Sequence, residues 1–146
     1  RAVINDQNIN SIILDIQNDL FVISTEISVS NKNHHKLTQS KWNLNLINEE
    51  SIIKIESLID SFDKKINLKP KFIIPGSNIK SSSIDISRTQ LRSAERALTN
   101  LNKKEKLINQ NIPKYINRLS DLLFYLARAQ ENEDERVYFE SDKNEK

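Results

Sequence analysis

The sequence predicts an all-α protein, an antiparallel helical bundle, and three observations carry that reading. Four segments place Ile, Leu or Phe at three- and four-residue steps, the period that collects side chains on one helical face. The three prolines, Pro70, Pro75 and Pro113, fall between those segments or at the start of one, where a helix tolerates the missing amide. No pair of stretches alternates apolar and polar residues as strands would, and nothing repeats.

The elements follow in order. A first helix is expected over about residues 8–28, where Ile9, Ile12, Ile13, Ile16, Leu20, Ile23 and Ile27 form a wide apolar face. Asp6 stands as its cap. Residues 29–47 have no period and read as a long loop, with Trp42 as its anchor. Asn48 has the form of an N-cap, and Glu49 and Glu50 sit well against the positive end of the helix that follows. Ile52, Ile55, Ile59, Phe62 and Ile66 stripe that second helix. The stretch P-K-F-I-I-P-G-S-N, with prolines at 70 and 75, must be an extended connection. A third helix is expected over about residues 81–109. A fourth runs from Pro113 to about Gln130, with Ile116, Leu119, Leu123 and Leu126 on its apolar stripe. The acidic E-N-E-D-E and the rest of 131–146 read as a frayed tail, in which Val137, Tyr138 and Phe139 are the residues able to dock.

Composition sets the outer limits. A chain of 146 residues, 37% apolar and 29% charged, suits one domain over 1–146 with a real core. A net charge of +2 offers no concentrated basic surface, so nucleic acid is not expected as a partner. The absence of Cys excludes disulfides, thiolate metal sites and a Cys nucleophile, and it fits a reducing compartment; the expected location is the cytoplasm. No apolar run approaches the roughly 18 to 20 residues of a membrane span, and no signal-peptide pattern opens the chain. The numbered residues contain no Met and start at Arg1, so they are expected to begin after the native start.

Two polar lines stand out against this background. On the third helix Ser81, Asp85, Arg88, Arg92 and Glu95 fall within one narrow arc, whose centre lies about 90° from that of the Ile84, Leu91 and Leu98 stripe. The row therefore borders the core. It is either an exposed salt-bridge ladder, worth a few tenths of a kcal/mol per pair, or the half-buried wall of a cleft or subunit interface. On the fourth helix Asn117, Asp121, Phe124 and Arg128 make a second such line. Its plain reading is inter-helix hydrogen bonding. Two lines on consecutive helices favour a shared polar cleft.

Other candidates are weaker. F-I-I-P-G-S-N-I-K-S-S-S lacks the second Gly of a phosphate loop, and Gly76 is the chain's one glycine. Phe72 is a buried plug or a ligand-facing ring, with core packing the default. His34 and His35 lack the Glu-x-x-His partners of a di-iron bundle, so no metal site is expected. No Ser-His-Asp arrangement has motif support.

Three stretches in this order resemble the ATP:cob(I)alamin adenosyltransferases of the propanediol-utilisation type: F-I-I-P-G, S-R-T-Q-L-R-S-A-E-R-A, and Y-I-N-R-L-S-D-L-L-F-Y-L-A-R. I-Q-N-D-L-F, from Ile16 to Phe21, is similar to that family's second helix. The resemblance covers about Ser11 to Arg128. It implies a five-helix bundle, of which four helices lie here and an N-terminal one is expected before Arg1. It also implies a homotrimer with active sites between subunits. The implied reaction moves the 5′-deoxyadenosyl group of ATP to cob(I)alamin, giving adenosylcobalamin and triphosphate, with Mg²⁺ on the phosphates. A corrinoid reductase and a cobalamin-dependent mutase are the implied protein partners.

Matching positions give the implied site. Arg92 resembles the arginine that meets the triphosphate, and Arg88 the one that makes an intersubunit ion pair. Glu95 corresponds to an active-site glutamate, and Asn117 to an asparagine that helps hold the nucleotide. Phe72 matches the aromatic residue on the lower face of the corrin. The family's N-terminal loop, T-x-x-G-D-x-G-x-T, is not among the numbered residues. It is expected upstream; the alternative is a non-catalytic bundle of the same descent that binds a corrinoid or a protein. Ser93, Ser77 and Gln130 depart from the family's common residues.

Overall fold

Apolar residues at helical spacing do build four long helices in a computed structural model of the chain, which describes residues 1–29, 31–39 and 44–140. In chain order the elements are α1 (Gln7–Ser28), α2 (Lys36–Gln39), α3 (Glu49–Asp63), β1 (Ile73–Ile74), α4 (Ile79–Lys104), α5 (Asn111–Arg128) and β2 (Val137–Tyr138).

Side-chain caps fix where the helices start. The Asp6 carboxylate accepts the Ile9 amide at 3.0 Å, as the sequence suggests. Asn48 accepts the Ser51 amide at 3.0 Å, and its own amide reaches Ser51 Oγ at 3.4 Å. That reciprocal pair satisfies two first-turn donors. Asn78 does the same for α4 with Ser81, so α4 begins at Ile79, ahead of the expected Ser81. It ends at Lys104, short of the expected Asn109. The chain turns there because the Asn102 side chain catches the Leu107 amide at 3.0 Å.

The centre of the bundle is α5. Its Leu119, Leu122, Leu126 and Ala127 have no exposed surface, and it packs against both α4 and α3. At one end Asn109 donates to the Ile47 carbonyl at 2.8 Å; at the other Tyr125 donates to Asp63 at 2.7 Å. Thus α3 and α5 run in the same direction. Ile9, Ile12, Ile16 and Ile23 bring α1 into the same core. Tyr115 donates to Asp19, and Lys54 pairs with Asp15 at 2.9 Å, tying α1 to α5 and α3. Consecutive long helices alternate in direction, which is the expected antiparallel bundle.

Three expectations need correction. The loop over 29–47 contains a 3-10 turn at Asn31–Asn33 and the short α2, whose Leu37 is buried; Trp42 lies outside the described residues. This short helix is not the additional N-terminal helix that the resemblance implies. A strand pair does exist, two residues long: Ile73 faces Tyr138 and Ile74 faces Val137, antiparallel. Finally, residues 131–140 do not leave the bundle as a loose end. They form a 3-10 turn at Glu133–Glu135 and then β2, docked on the connection between α3 and α4. Residues 141–146 lie outside the described ones. The turn from β1 into α4 uses Gly76 at φ +116°, a backbone conformation that any side chain would strain. No helix among the described residues is long and apolar enough to cross a membrane.

The Tyr125–Asp63 contact makes a pH-dependent joint between α3 and α5. The hydrogen bond to Asp63, then burial, then the nearby carboxylates of Asp63, Asp121 and Asp60, push the Tyr125 hydroxyl up to about 12 from its ordinary 10.0. A raised phenol pKa favours the folded state fully below the unfolded value, and that contribution is lost as pH rises through the folded one. The urea midpoint of the wild type should therefore fall faster between pH 10 and 12 than that of Tyr125→Phe. Parallel curves would show that the hydroxyl contributes nothing there.

Candidate functional site

The two polar lines of α4 and α5 meet. Because the helices are antiparallel, each step down one row is a step up the other, and the predicted residues pair in register. At the lower end Arg128 Nη2 donates to Asp85 Oδ2 at 2.5 Å. Above it, Arg88 Nε donates to the Ser120 carbonyl at 3.2 Å, and its guanidinium lies 5.7 Å from the centre of the Phe124 ring. Arg128 lies 5.5 Å from the same ring. Phe124 therefore bridges two cations through its electron-rich face. Higher still, Asn117 Nδ2 donates to Glu95 Oε1 at 2.9 Å, and Glu95 Oε2 accepts from Arg92 Nη1 at 2.7 Å.

The seam grades from buried to open along its length. Arg128 is 1% exposed, and a cation so buried needs carboxylates beside it. Arg88 is half-buried, and among the described residues it has no carboxylate partner. Arg92 is 48% exposed at the side chain and Glu95 19%. The outer end thus presents a guanidinium held in place by a carboxylate that is itself held by an amide. A planar cation fixed on one edge, with solvent on the other, can take an anion bidentately. Asp121 leaves the row: it pairs outward with Arg118 at 3.3 Å.

Phe72 is displaced from its default reading. Its ring is 84% exposed, so it is not a core plug. The prolines at 70 and 75 and the pairing of β1 with β2 keep this stretch extended, and the Phe72 carbonyl accepts the Phe139 amide at 2.7 Å. It sits on the connection that enters α4, at the end where the seam is deepest. The ring is thus free to meet an apolar surface from outside.

A charged cluster beneath the seam was not legible beforehand. Glu131 is buried, with Arg128 Nη2 at 3.0 Å and Arg136 Nε at 3.8 Å. Read as part of an acidic run, Glu131 looked solvated; its spacing of three from Arg128 was the available signal. His34 Nε2 meets the buried Glu26 carboxylate at 2.8 Å. Among the described residues no cluster of three or more His, Cys, Asp or Glu could hold a metal. An apolar groove of about 540 Å³ runs between α1 and α4, but none of Arg88, Arg92, Glu95 or Asn117 lines it.

Removing one partner of a buried ion pair costs far more than trimming an exposed one. Asp85→Asn should destabilise the fold by on the order of 3 kcal/mol. Arg92→Ala should stay within about 0.5 kcal/mol. Urea denaturation of both checks this; equal losses would mean that the seam is not graded as described.

With that geometry in place, comparison with known proteins is direct. A family model described as cobalamin adenosyltransferase matches residues 1–130. A corrinoid adenosyltransferase of Citrobacter freundii is 35% identical over 116 residues, 80% of this chain and 62% of that protein. One from Bacillus subtilis is 33% identical over 124 residues, 84% and 58% of the two chains. The chain thus spans about three fifths of these relatives' length. Among solved structures, a variant of the PduO-type ATP:corrinoid adenosyltransferase of Lactobacillus reuteri, complexed with ATP, superposes with a TM-score of 0.78 at 26% identity, covering 94% of this chain and 74% of that one. A second variant, complexed with cobalamin and ATP, gives 0.72 at 27% identity, covering 87% and 67%.

Proposed function

We propose that this chain, which belongs to the cobalamin adenosyltransferase family, transfers the 5′-deoxyadenosyl group of ATP to cob(I)alamin. The observation that carries the reading is the outer seam. Arg92, Glu95 and Asn117 form one hydrogen-bonded unit at a solvent-facing rim, with Arg88 behind it and an exposed Phe72 on the neighbouring connection. Those are the positions at which the family's motifs fall in this sequence.

The chemistry asks little of side-chain acids and bases. The lone pair of Co(I) attacks C5′; the Co–C bond forms as the C5′–O bond breaks, and the bonding pair leaves on triphosphate. Cob(I)alamin is already a strong nucleophile, so alignment and stabilisation of the leaving charge are the main tasks. Arg92 meets the triphosphate with a fork that stays charged. Glu95 and Asn117 hold that fork in orientation. Arg88, without a carboxylate partner among the described residues, takes one from a neighbouring subunit of a homotrimer. Phe72 presents an apolar ring to the lower face of the corrin and keeps water and the lower ligand away. A four-coordinate Co(II) is then easier to reduce to the reactive Co(I).

Mg²⁺ enters this reading only on the nucleotide, through phosphate oxygens; the carboxylate at hand, Glu95, is already engaged by Arg92 and Asn117. A corrinoid reductase that supplies Co(I) and a cobalamin-dependent mutase that consumes the product are the protein partners. The cysteine-free composition supports a cytoplasmic location.

The test follows adenosylcobalamin formation from ATP and chemically reduced cobalamin. A charged hydrogen bond contributes roughly 1.5 to 3 kcal/mol. Arg92→Ala should therefore lower kcat/KM by about one to two orders of magnitude with an unchanged circular dichroism spectrum. Normal turnover by that variant would sink the assignment of the row. Cobalamin binding without any product from the wild type would favour a non-catalytic corrinoid-binding bundle.

A further inference from the structure

Phe72 cannot be positioned by its own side chain, since the ring packs against almost nothing. Its backbone must be held, and the holding comes from residues 130–139. The Phe139 amide donates to the Phe72 carbonyl at 2.7 Å, and β2 pairs with β1 directly after Phe72. Before Phe72, Lys69 Nζ lies 5.3 Å from the Tyr138 ring centre, and Asn67 donates to Glu133 at 3.1 Å. After it, Asn78 donates to the Gln130 carbonyl at 2.9 Å and to Glu135 at 3.1 Å. Two strands of two residues do not hold together unaided. Something must fasten this strap to the bundle.

Arg136 does so. Its Nη2 donates to the carbonyls of Arg128 and Glu131 at 3.4 Å each, and its Nη1 to the Asn67 carbonyl at 2.8 Å. Its side chain is 6% exposed and lies beside the buried Glu131 carboxylate, which also faces Arg128. One guanidinium thus touches the end of α5, the strap and the connection that carries Phe72. A planar fork with several fixed donors suits such a three-way joint; an ammonium on a flexible stem does not.

We propose that Arg136 is a positioning residue: it locks the strap and thereby sets where the Phe72 strand stands relative to α5. Resting on the reading of Phe72 as the corrin-facing ring, the same lock governs corrinoid handling and leaves the nucleotide end of the seam alone. Arg136 touches neither substrate and acts through Phe72.

The test compares wild type, Arg136→Ala, Arg136→Lys and Phe139→Pro. The last removes the amide donated to Phe72 without disturbing the charged cluster. Hydrogen exchange is read over 66–78 and over 119–126. Kinetics are read as separate KM values for ATP and for reduced cobalamin. Arg136→Ala and Phe139→Pro should speed exchange over 66–78 by about tenfold or more while 119–126 stays protected. Both should lower kcat/KM for cobalamin about tenfold with KM for ATP within about twofold, and Arg136→Lys should recover part of the loss. Unchanged exchange over 66–78 in Arg136→Ala overturns the proposal, as does an equal loss toward ATP and cobalamin. Should Arg136→Ala fail to fold, Arg136→Lys decides: exchange over 66–78 and KM for cobalamin both unchanged from wild type overturn the proposal. If the wild type makes no adenosylcobalamin, the functional reading fails by itself, and exchange over 66–78 alone sustains or overturns the lock.

Discussion

A guanidinium with almost no exposed surface dictates much of this molecule. Arg128 ends α5 inside the bundle, and a buried cation needs carboxylates close by. Asp85 meets it from α4 and Glu131 from the chain beyond α5. The first contact sets the register of two antiparallel helices. Once Asp85 faces Arg128, helical spacing brings Arg88 beside Phe124 and Glu95 beside Asn117. The second contact turns the chain back after α5 and delivers the strap that braces Phe72. One charge therefore fixes both the anion-facing rim and the aromatic ring, which stand on different elements.

This arrangement divides labour in a way that suits the proposed reaction. The deep end of the seam pairs its charges within the bundle. Its shallow end keeps donors toward solvent, where a polyanion can reach them. Positioning two large substrates calls for rigid supports more than for titrating groups, and the ties that hold the rim and the strand are hydrogen bonds and fixed charges. Leu119, Leu122 and Leu126, fully buried on the same helix, give those ties a rigid backing.

Much of this was legible in the sequence because it is periodic. The Ile and Leu steps located the four long helices, and Asp6 and Asn48 marked two of their starts. The rows from Ser81 to Glu95 and from Asn117 to Arg128 could be read because a helix turns spacing into direction. What could not be read depended on pairing between distant segments. Val137 and Tyr138 can be picked out as the tail residues able to dock, but their partners, Ile73 and Ile74, lie more than sixty residues away and show only in the fold. Glu131 sits in an acidic run and is buried only because Arg128 and Arg136 converge on it. Asn78 caps α4 just ahead of a run of serines that carries no helical period, so the start of α4 does not show in the spacing. Of the two readings open to Phe72, core packing is the default because an aromatic ring between prolines ordinarily packs; the exposed ring becomes intelligible once the strap is seen behind it. Asp121 shares a line with Asn117 and Arg128 yet turns outward, since Arg118 on the neighbouring line offers it a closer partner.

The most direct test is a crystal structure of the protein bound to ATP and cobalamin together. The account predicts Arg92 within hydrogen-bonding distance of a polyphosphate oxygen, with Glu95 and Asn117 still joined behind it, and the Phe72 ring against the lower face of the corrin. A nucleotide bound away from the α4 row, with Arg92 turned to bulk solvent, would contradict it.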